Sequence, residues 1–327
     1  MKRLTSFLLG IALLLSSCAL AGCASRKNKS LRLGLGLYTS AEATSAIENK
    51  NGTGEVTVTG AAVLLDSKNE IVSCALDCSE SQVSYTADGK ALANESFLTK
   101  RELGDSYGMK QYGGATLEWY EQANAFCALV EGKTVEEVTA LVASDGKGTD
   151  EVVRAGCTIS VSDFVKAIEK AVAKAAPTDA TAKDTLKLSA ATVQTTKDAE
   201  AGANGKNQLE TTFFAATTDK NGKITAAYSD CAEIEFIFDI MGVSQNEGKW
   251  TVSTKRDAGD SYGMKQYGGA ALEWYEQANK FDNACIGKTA GDISSLLGND
   301  GYGSADLTAS GCTISVNGFV KAASKIG

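Results

Sequence analysis

The sequence contains no histidine in 327 residues and only one proline. Without histidine, the Ser-His-Asp and Cys-His arrangements of nucleophilic catalysis are excluded, and the usual side-chain ligand of zinc and haem is missing. The nine cysteines include no pair at the CxxC spacing that zinc and iron–sulfur sites use. The sequence therefore predicts no metal site.

Basic residues are scarce relative to acidic ones, since 32 Lys and Arg stand against 40 Asp and Glu and the formal net charge is −8. The basic residues form no stripe along the sequence. An acidic chain of this kind is a poor partner for nucleic acid, and an anionic bilayer would repel it. We therefore expect no nucleic-acid partner, and attachment to a membrane would need something other than charge.

The N-terminus offers such an attachment. Basic residues at Lys2 and Arg3 precede an apolar run at residues 7–20, and Leu20-Ala21-Gly22-Cys23 follows. The run is too short for a permanent membrane span, and Leu-Ala-Gly-Cys resembles the lipobox of bacterial lipoproteins. This resemblance implies a signal peptide at residues 1–22, acyl chains such as palmitate on Cys23, and a polar tether at residues 23–30. The protein would then be anchored in the lipid bilayer at the extracytoplasmic face of the cell membrane. The alternative is an ordinary secretory signal.

The rest of the chain is a tandem repeat. The segment GDSYGMKQYGGATLEWYEQAN at residues 104–124 returns at residues 259–279, and only Thr116 and Ala271 differ. A repeat of this length indicates two domains of one kind and not a solenoid of small units.

The shift between the copies is 155 residues, from Thr99 to Thr254 onward without a gap, and it also aligns Leu31 with Leu186. We predict three segments after the tether: a first repeat domain at residues 31–176, a linker at residues 177–185 that holds the only proline, and a second repeat domain at residues 186–327.

Strand patterns precede helix patterns in each copy. In the second copy, residues 219–222 predict a turn between two β-rich runs, and alternating apolar residues at 234–238 predict a third strand. Apolar residues at helical spacing over 117–130 predict a helix, and Ser162 predicts the N-cap of another. We therefore predict an α+β fold with two tandem copies of one domain, each a small antiparallel sheet packed with helices.

Seven cysteines remain once Cys18 leaves with the signal peptide and Cys23 takes lipid. An odd number leaves at least one thiol without a partner in the chain. Each repeat is long enough for its own core, so we expect most of the seven to be buried free thiols.

A Gly-Cys-Thr turn precedes the last predicted helix of each copy, as Ser310-Gly311-Cys312-Thr313 and Ala155-Gly156-Cys157-Thr158. These turns resemble those of the FMN-binding domain family of exported lipoproteins and of the C subunits of sodium-pumping quinone reductases. In that family a flavin transferase attaches FMN through a phosphodiester to the last hydroxyl of a Ser/Thr-Gly-Ala-Ser/Thr turn. The resemblance implies covalent FMN on Thr313 and Thr158, with Gly311 and Gly156 allowing close approach at a helix N-terminus. The alternative is a tight buried turn.

The loop YGMKQYGG is the second candidate for a binding site, and its text resembles an uncharacterised group of lipoproteins that carry YGM…EWYEQ. Its aromatic and thioether side chains could pack against a flat ring, with a lysine near an anionic group. The candidate residues are Tyr107, Met109 and Lys110 in the first copy and Tyr262, Met264 and Lys265 in the second. The alternative is that these aromatic residues belong to the core. Glu118 and Glu121 could serve acid–base chemistry on a sugar, but a solvated helix face is the simpler interpretation.

These observations favour a membrane-anchored flavoprotein that carries electrons, with redox partners and a flavin transferase, over an enzyme that turns over a substrate. The alternative is a non-catalytic envelope lipoprotein that binds a small molecule or a protein partner.

Overall fold

The computed structural model describes residues 31–94 and 96–327. The predicted signal peptide, the tether and Cys23 lie outside the described residues. In the part of the chain that is described, the helices are all too short or too polar to cross a membrane.

The strands form two antiparallel sheets. The first sheet has the order β4-β3-β2-β1-β5, and β9 also pairs with β1. Its strands are β1 (Arg32–Thr44), β2 (Gly52–Leu65), β3 (Ile71–Tyr85), β4 (Ala91–Leu92), β5 (Ala176–Pro177) and β9 (Gly248–Thr251). The second sheet has the order β6-β7-β8, with β6 (Thr185–Lys197), β7 (Gly205–Thr218) and β8 (Ile224–Phe238).

The helices follow the strands in each repeat. Those of the first repeat are α1 (Lys100–Leu103), α2 (Met109–Gly113), α3 (Trp119–Val130), α4 (Val135–Thr139), α5 (Asp150–Arg154) and α6 (Ser162–Lys174). Those of the second are α7 (Lys255–Ala258), α8 (Trp274–Cys285), α9 (Ala305–Ala309) and α10 (Asn317–Ala323). Single turns of 3-10 helix lie at Gly104–Tyr107 and Gly259–Tyr262, and a longer one lies at Ala290–Leu296. The predicted α+β class is confirmed.

The elements stack in four layers. Helices α3 and α6 cover the outer face of the first sheet, and α8 and α10 cover the outer face of the second. The inner faces of the two sheets pack against each other, β1 over β8 and β3 over β6. Strand alternation explains this arrangement, because Leu33, Leu35 and Leu37 point into the shared layer while the residues between them face α6.

The strands correct two expectations. Arg32, Gly52 and Ile71 begin β1 to β3, and their counterparts in β6 to β8 lie 153 residues later, so Leu33 and not Leu31 matches Leu186. The connection from β8 to Thr254 is two residues longer than that from β3 to Thr99, which restores the shift of 155. The two strands predicted at the end of the second sheet are one continuous strand, β8.

The N-cap of α6 also differs from the expectation. Val161 occupies the N-cap position, without a side-chain cap, and Ser162 is the first helical residue. The seven cysteines of the described residues are all free thiols, six buried and one, Cys74, half-buried, as expected.

The repeats meet through reciprocal contacts. The Ala46 N–H donates to the Gly242 carbonyl, and the Ala199 N–H donates to the Gly89 carbonyl, each at 2.8 Å. Tyr85 and Phe238, which are equivalent residues, stack with their ring centres 4.3 Å apart. This is the pattern of an isologous dimer interface inside one chain.

Candidate functional site

Each repeat has a cavity between its sheet, its YGM loop and its last helix. The first cavity has a volume of about 440 Å³ and the second about 300 Å³. Nine equivalent, identical residues line both: Thr59, Cys78, Lys100, Tyr107, Met109, Trp119, Ile159, Ser160 and Phe164 in the first, and Thr212, Cys231, Lys255, Tyr262, Met264, Trp274, Ile314, Ser315 and Phe319 in the second. The two cavities therefore share most of their lining.

Glu118 holds the YGM loop in place. Its carboxylate, only 2% exposed, accepts the N–H groups of Met109 at 2.8 Å and Lys110 at 3.1 Å. Its own N–H donates to Glu121 at 2.8 Å, which completes a capping box at the start of α3. The equivalent carboxylates of the second repeat make the same contacts. These carboxylates cap helices, and the lining of the cavities does not include them.

The predicted lysines lie outside the cavities. Lys110 pairs with Glu121 at 2.7 Å and Lys265 pairs with Glu276 at 2.6 Å, each with its side chain more than 40% exposed. Tyr107, Met109, Tyr262 and Met264 line the cavities. The two lysines therefore do not line the cavities, and their contact with a ligand stays a prediction.

The lysine of each cavity comes from α1 or α7, a residue that the sequence analysis missed. Lys100 follows Thr99, which caps α1, and Lys255 follows Thr254, which caps α7. The sequence did contain a signal for these lysines, because the gapless alignment of the two copies begins at Thr99 and Thr254, directly before them. The fold then brings each lysine over two aromatic rings, those of Tyr107 and Trp119 in the first repeat and those of Tyr262 and Trp274 in the second.

Lys255 makes two ion pairs and lies over two aromatic rings. Its ammonium lies 2.6 Å from Glu210 and 2.7 Å from Glu233, and 5.4 Å from the ring centre of Tyr262 and 5.7 Å from that of Trp274. Burial lowers the pKa of Lys255, but the carboxylates of Glu210 and Glu233 beside it outweigh this effect and raise the pKa above its usual value. The ammonium is therefore charged and unsuited to act as a nucleophile.

A buried thiol lies in the wall of each cavity. Burial raises the pKa of Cys78 to about 12, and burial raises the pKa of Cys231 to about 12 as well. Both thiols are protonated at neutral pH, so they contribute packing and not nucleophilic chemistry.

Thr313 lines the second cavity, whereas Thr158 lies outside the lining of the first. Both threonines are exposed. In each turn the threonine N–H and hydroxyl donate to a buried glutamine carbonyl: Thr313 to Gln277 at 2.8 and 2.9 Å, and Thr158 to Gln122 at 2.8 and 3.0 Å. The same amides donate to Leu117 and Leu272. One buried amide thus ties each turn to its loop.

The turn itself needs glycine. Gly156 has φ of +103° and Gly311 has φ of +106°, a backbone conformation that other residues rarely adopt. However, helix α6 begins at Ser162 and α10 at Asn317, four residues after each threonine. The threonines therefore do not lie at helix N-termini, and this part of the prediction is wrong.

Comparisons of the chain with protein families, with curated proteins and with solved structures find no match. The cavities themselves are therefore the basis for assigning a function.

Proposed function

We propose that this chain binds a small, flat aromatic ligand in each of its two equivalent cavities. The observation that carries the proposal is that the same aromatic, thioether and lysine side chains line both cavities. Tyrosine, tryptophan and methionine walls suit a planar ring, and concave sites of a few hundred Å³ are typical ligand sites.

Identity between the copies supports one class of ligand, a flat ring, in both cavities. The block at residues 104–124 returns with one difference. In contrast, the equivalent strands β1 and β6 have the same residue at only three positions, those of Leu33, Leu35 and Thr39. Packing alone tolerates exchange among side chains of similar volume. It does not account for the retention of Tyr112 and Tyr267, which are 81% and 80% exposed.

FMN is the ligand that we propose first. Tyr262, Met264 and Thr313, predicted from two separate segments, border one cavity. Thr313 would carry the phosphate at the rim, and Gln277 would orient its hydroxyl by accepting its hydrogen. Tyr262, Met264 and Trp274 would contact the ring and exclude water. Bound FMN would supply electron transfer, and the chain would then be an electron carrier for redox partners.

The environment of Thr158 favours a second candidate, a non-catalytic binding lipoprotein. Thr158 lies outside its cavity, and the N–H of each threonine already donates to a glutamine. A ligand held without a covalent bond would need neither threonine. In both cases, we propose that lipid on Cys23 anchors the protein at the extracytoplasmic face of the membrane.

Co-expression with a flavin transferase tests the flavin proposal. We expect a yellow protein with a flavin absorption spectrum and an intact mass raised by one FMN-phosphoryl group. Thr313→Val should remove the adduct, and Thr158→Val is the matched control that should retain it. An unmodified mass with no bound chromophore would reject FMN and leave the binding lipoprotein.

Cys23→Ala tests the anchor. The variant should move from the detergent phase to the aqueous phase in a partitioning experiment. Partitioning equal to that of the unaltered protein would contradict lipidation at Cys23.

A further inference from the structure

The two cavities share their walls but differ in the carboxylates around the lysine. Glu80 and Glu233 are equivalent, whereas Glu210 on β7 stands where β2 has Thr57. Lys255 therefore meets two carboxylates at 2.6 and 2.7 Å. Within the described part of the chain, Lys100 pairs with one carboxylate, that of Glu80, at 3.4 Å.

Because Lys100 has, among the described residues, only the longer ion pair with Glu80, its ammonium can still bind a ligand. The side chain of Lys100 is 13% exposed, whereas that of Glu80 is 53% exposed and faces water. An ammonium has three donors, so Lys100 can donate to a further oxyanion inside its cavity. Lys255 already has two short ion pairs, and a third anion beside it would meet the repulsion of Glu210 and Glu233.

The other charged residues at the cavities do not change this difference in charge around the two lysines. Asp163 lines the first cavity in the position of Gly318, but it pairs with Lys166 at 3.2 Å. The first cavity thus has one pair of opposite charges around its lysine. The second has one negative charge in excess.

We propose that the first cavity takes an aromatic ligand bearing an oxyanion, such as a carboxylate or a phosphate, while the second takes an uncharged ring. Thr57 and Glu210 set this difference, and Lys100 receives the oxyanion. The inference rests on the proposed binding of aromatic ligands in both cavities. It is compatible with a flavin whose uncharged ring enters the second cavity.

The three tryptophans of the chain allow the cavities to be observed separately. Trp119 lines the first cavity and Trp274 the second, while Trp250 lies in neither. The probes are 2-naphthoate and uncharged 2-naphthamide, titrated while the indole N–H signals are recorded by NMR. Single Trp→Phe variants assign the signals.

We expect the Trp119 signal to shift with naphthoate at about tenfold lower concentration than with naphthamide, the size of one charge-assisted hydrogen bond. The Trp274 signal should show the reverse order, and the Trp250 signal should stay in place.

Exchanging the residues between the repeats tests the cause. Thr57→Glu should remove the naphthoate preference of the first cavity, and Glu210→Thr should confer it on the second. Lys100→Gln should abolish the preference for naphthoate over naphthamide. Glu210 is partly exposed, so we expect Glu210→Thr to fold. This variant therefore tests the role of the carboxylate even if Thr57→Glu fails to fold.

The two hypotheses fail differently. If both probes shift Trp119 at equal concentrations, the inference is wrong and the proposed function stands. If neither probe shifts Trp119 or Trp274 at millimolar concentration, the binding proposal fails and the inference with it.

Discussion

Two buried glutamines connect the loop and the turn of each site. Gln277, 1% exposed, accepts both donors of Thr313 and donates to the Leu272 carbonyl at 3.0 Å. An amide can both accept and donate, which no apolar residue of similar size can do.

Gln277→Leu should therefore lower the free energy of unfolding by about 2–4 kcal/mol, because buried donors and acceptors lose their partners. Urea denaturation measures this change. Tyr267→Ala, at a residue 80% exposed, is the control and should change stability by less than about 0.5 kcal/mol. Equal effects of the two variants would contradict the role of the amide.

Asp77 makes stability depend on pH. Burial raises the pKa of Asp77 to about 6, although hydrogen bonds from Thr99 and Cys78 lower it. Its carboxylate accepts the N–H of Cys78 at 2.7 Å and that of Arg101 at 3.2 Å. An unfolded aspartate has a pKa of about 3.9, so between about pH 4 and about pH 6 the folded state holds more protons.

The free energy of unfolding, relative to that of Asp77→Asn, should therefore fall by about 3 kcal/mol as the pH rises through this window. Denaturation of both proteins across the window measures the difference. A difference that grows with rising pH, or stays constant, would contradict a raised pKa.

At the scale of elements, the packing of α6 on β1 depends on two glycines. A Cβ on Gly34 would overlap the backbone oxygen of Ala171, and one on Gly36 would overlap that of Ala167. The helix thus lies directly on the strand, and this closeness places Phe164 beside Trp119, with ring centres 5.7 Å apart, in the first cavity.

Gly36→Ala should push the helix away and lower the free energy of unfolding by about 2–3 kcal/mol. Gly113→Ala is the control, since a Cβ there meets nothing within 4 Å, and a helical alanine should be neutral or stabilising by roughly 0.5 kcal/mol. Thermal denaturation of both variants distinguishes them. Similar melting temperatures would show that the helix can shift without cost.

At the scale of the whole molecule, the repeats share a core. Leu35 and Leu37 of the first repeat pack in one cluster with Phe213 and Phe236 of the second. Among the ion pairs that join the repeats, two are equivalent to each other: Lys170 with Asp257 and Lys325 with Glu102, each at 2.6 Å. The boundaries at residues 176 and 186 remain a prediction.

Cleavage at a protease site placed between Thr181 and Lys183, both exposed, should leave the two halves associated, because their inner sheet faces cover each other. Size-exclusion chromatography should show one species of the original size. Each half expressed alone should aggregate or fail to melt cooperatively. Two separate, cooperatively melting halves would instead support the independent domains that the repeat suggests.

The sequence alone determined the α+β class and the order of strands before helices in each copy. It also singled out the tyrosines and methionines that line both cavities, although their contact with a ligand stays a prediction. These follow from local patterns and from the repeat, which needs no knowledge of contacts. The sequence did not reveal that equivalent strand residues are 153 and not 155 positions apart, because β1 and β6 retain few identical residues. The offset becomes visible only in the structure, where β1 pairs with β2 in the same register as β6 with β7.

Only the tertiary structure decided which lysine enters each cavity and which groups surround it. Lys110 looked suitable because it lies in the loop, but Glu121 on the next helix pairs with it at the surface. Lys100 reaches the cavity because α1 packs on β3. Likewise, the stacking of the two sheets is a contact between residues far apart in sequence. Its strength depends on the apolar area that both inner faces bury together, which the pattern of either strand alone does not fix.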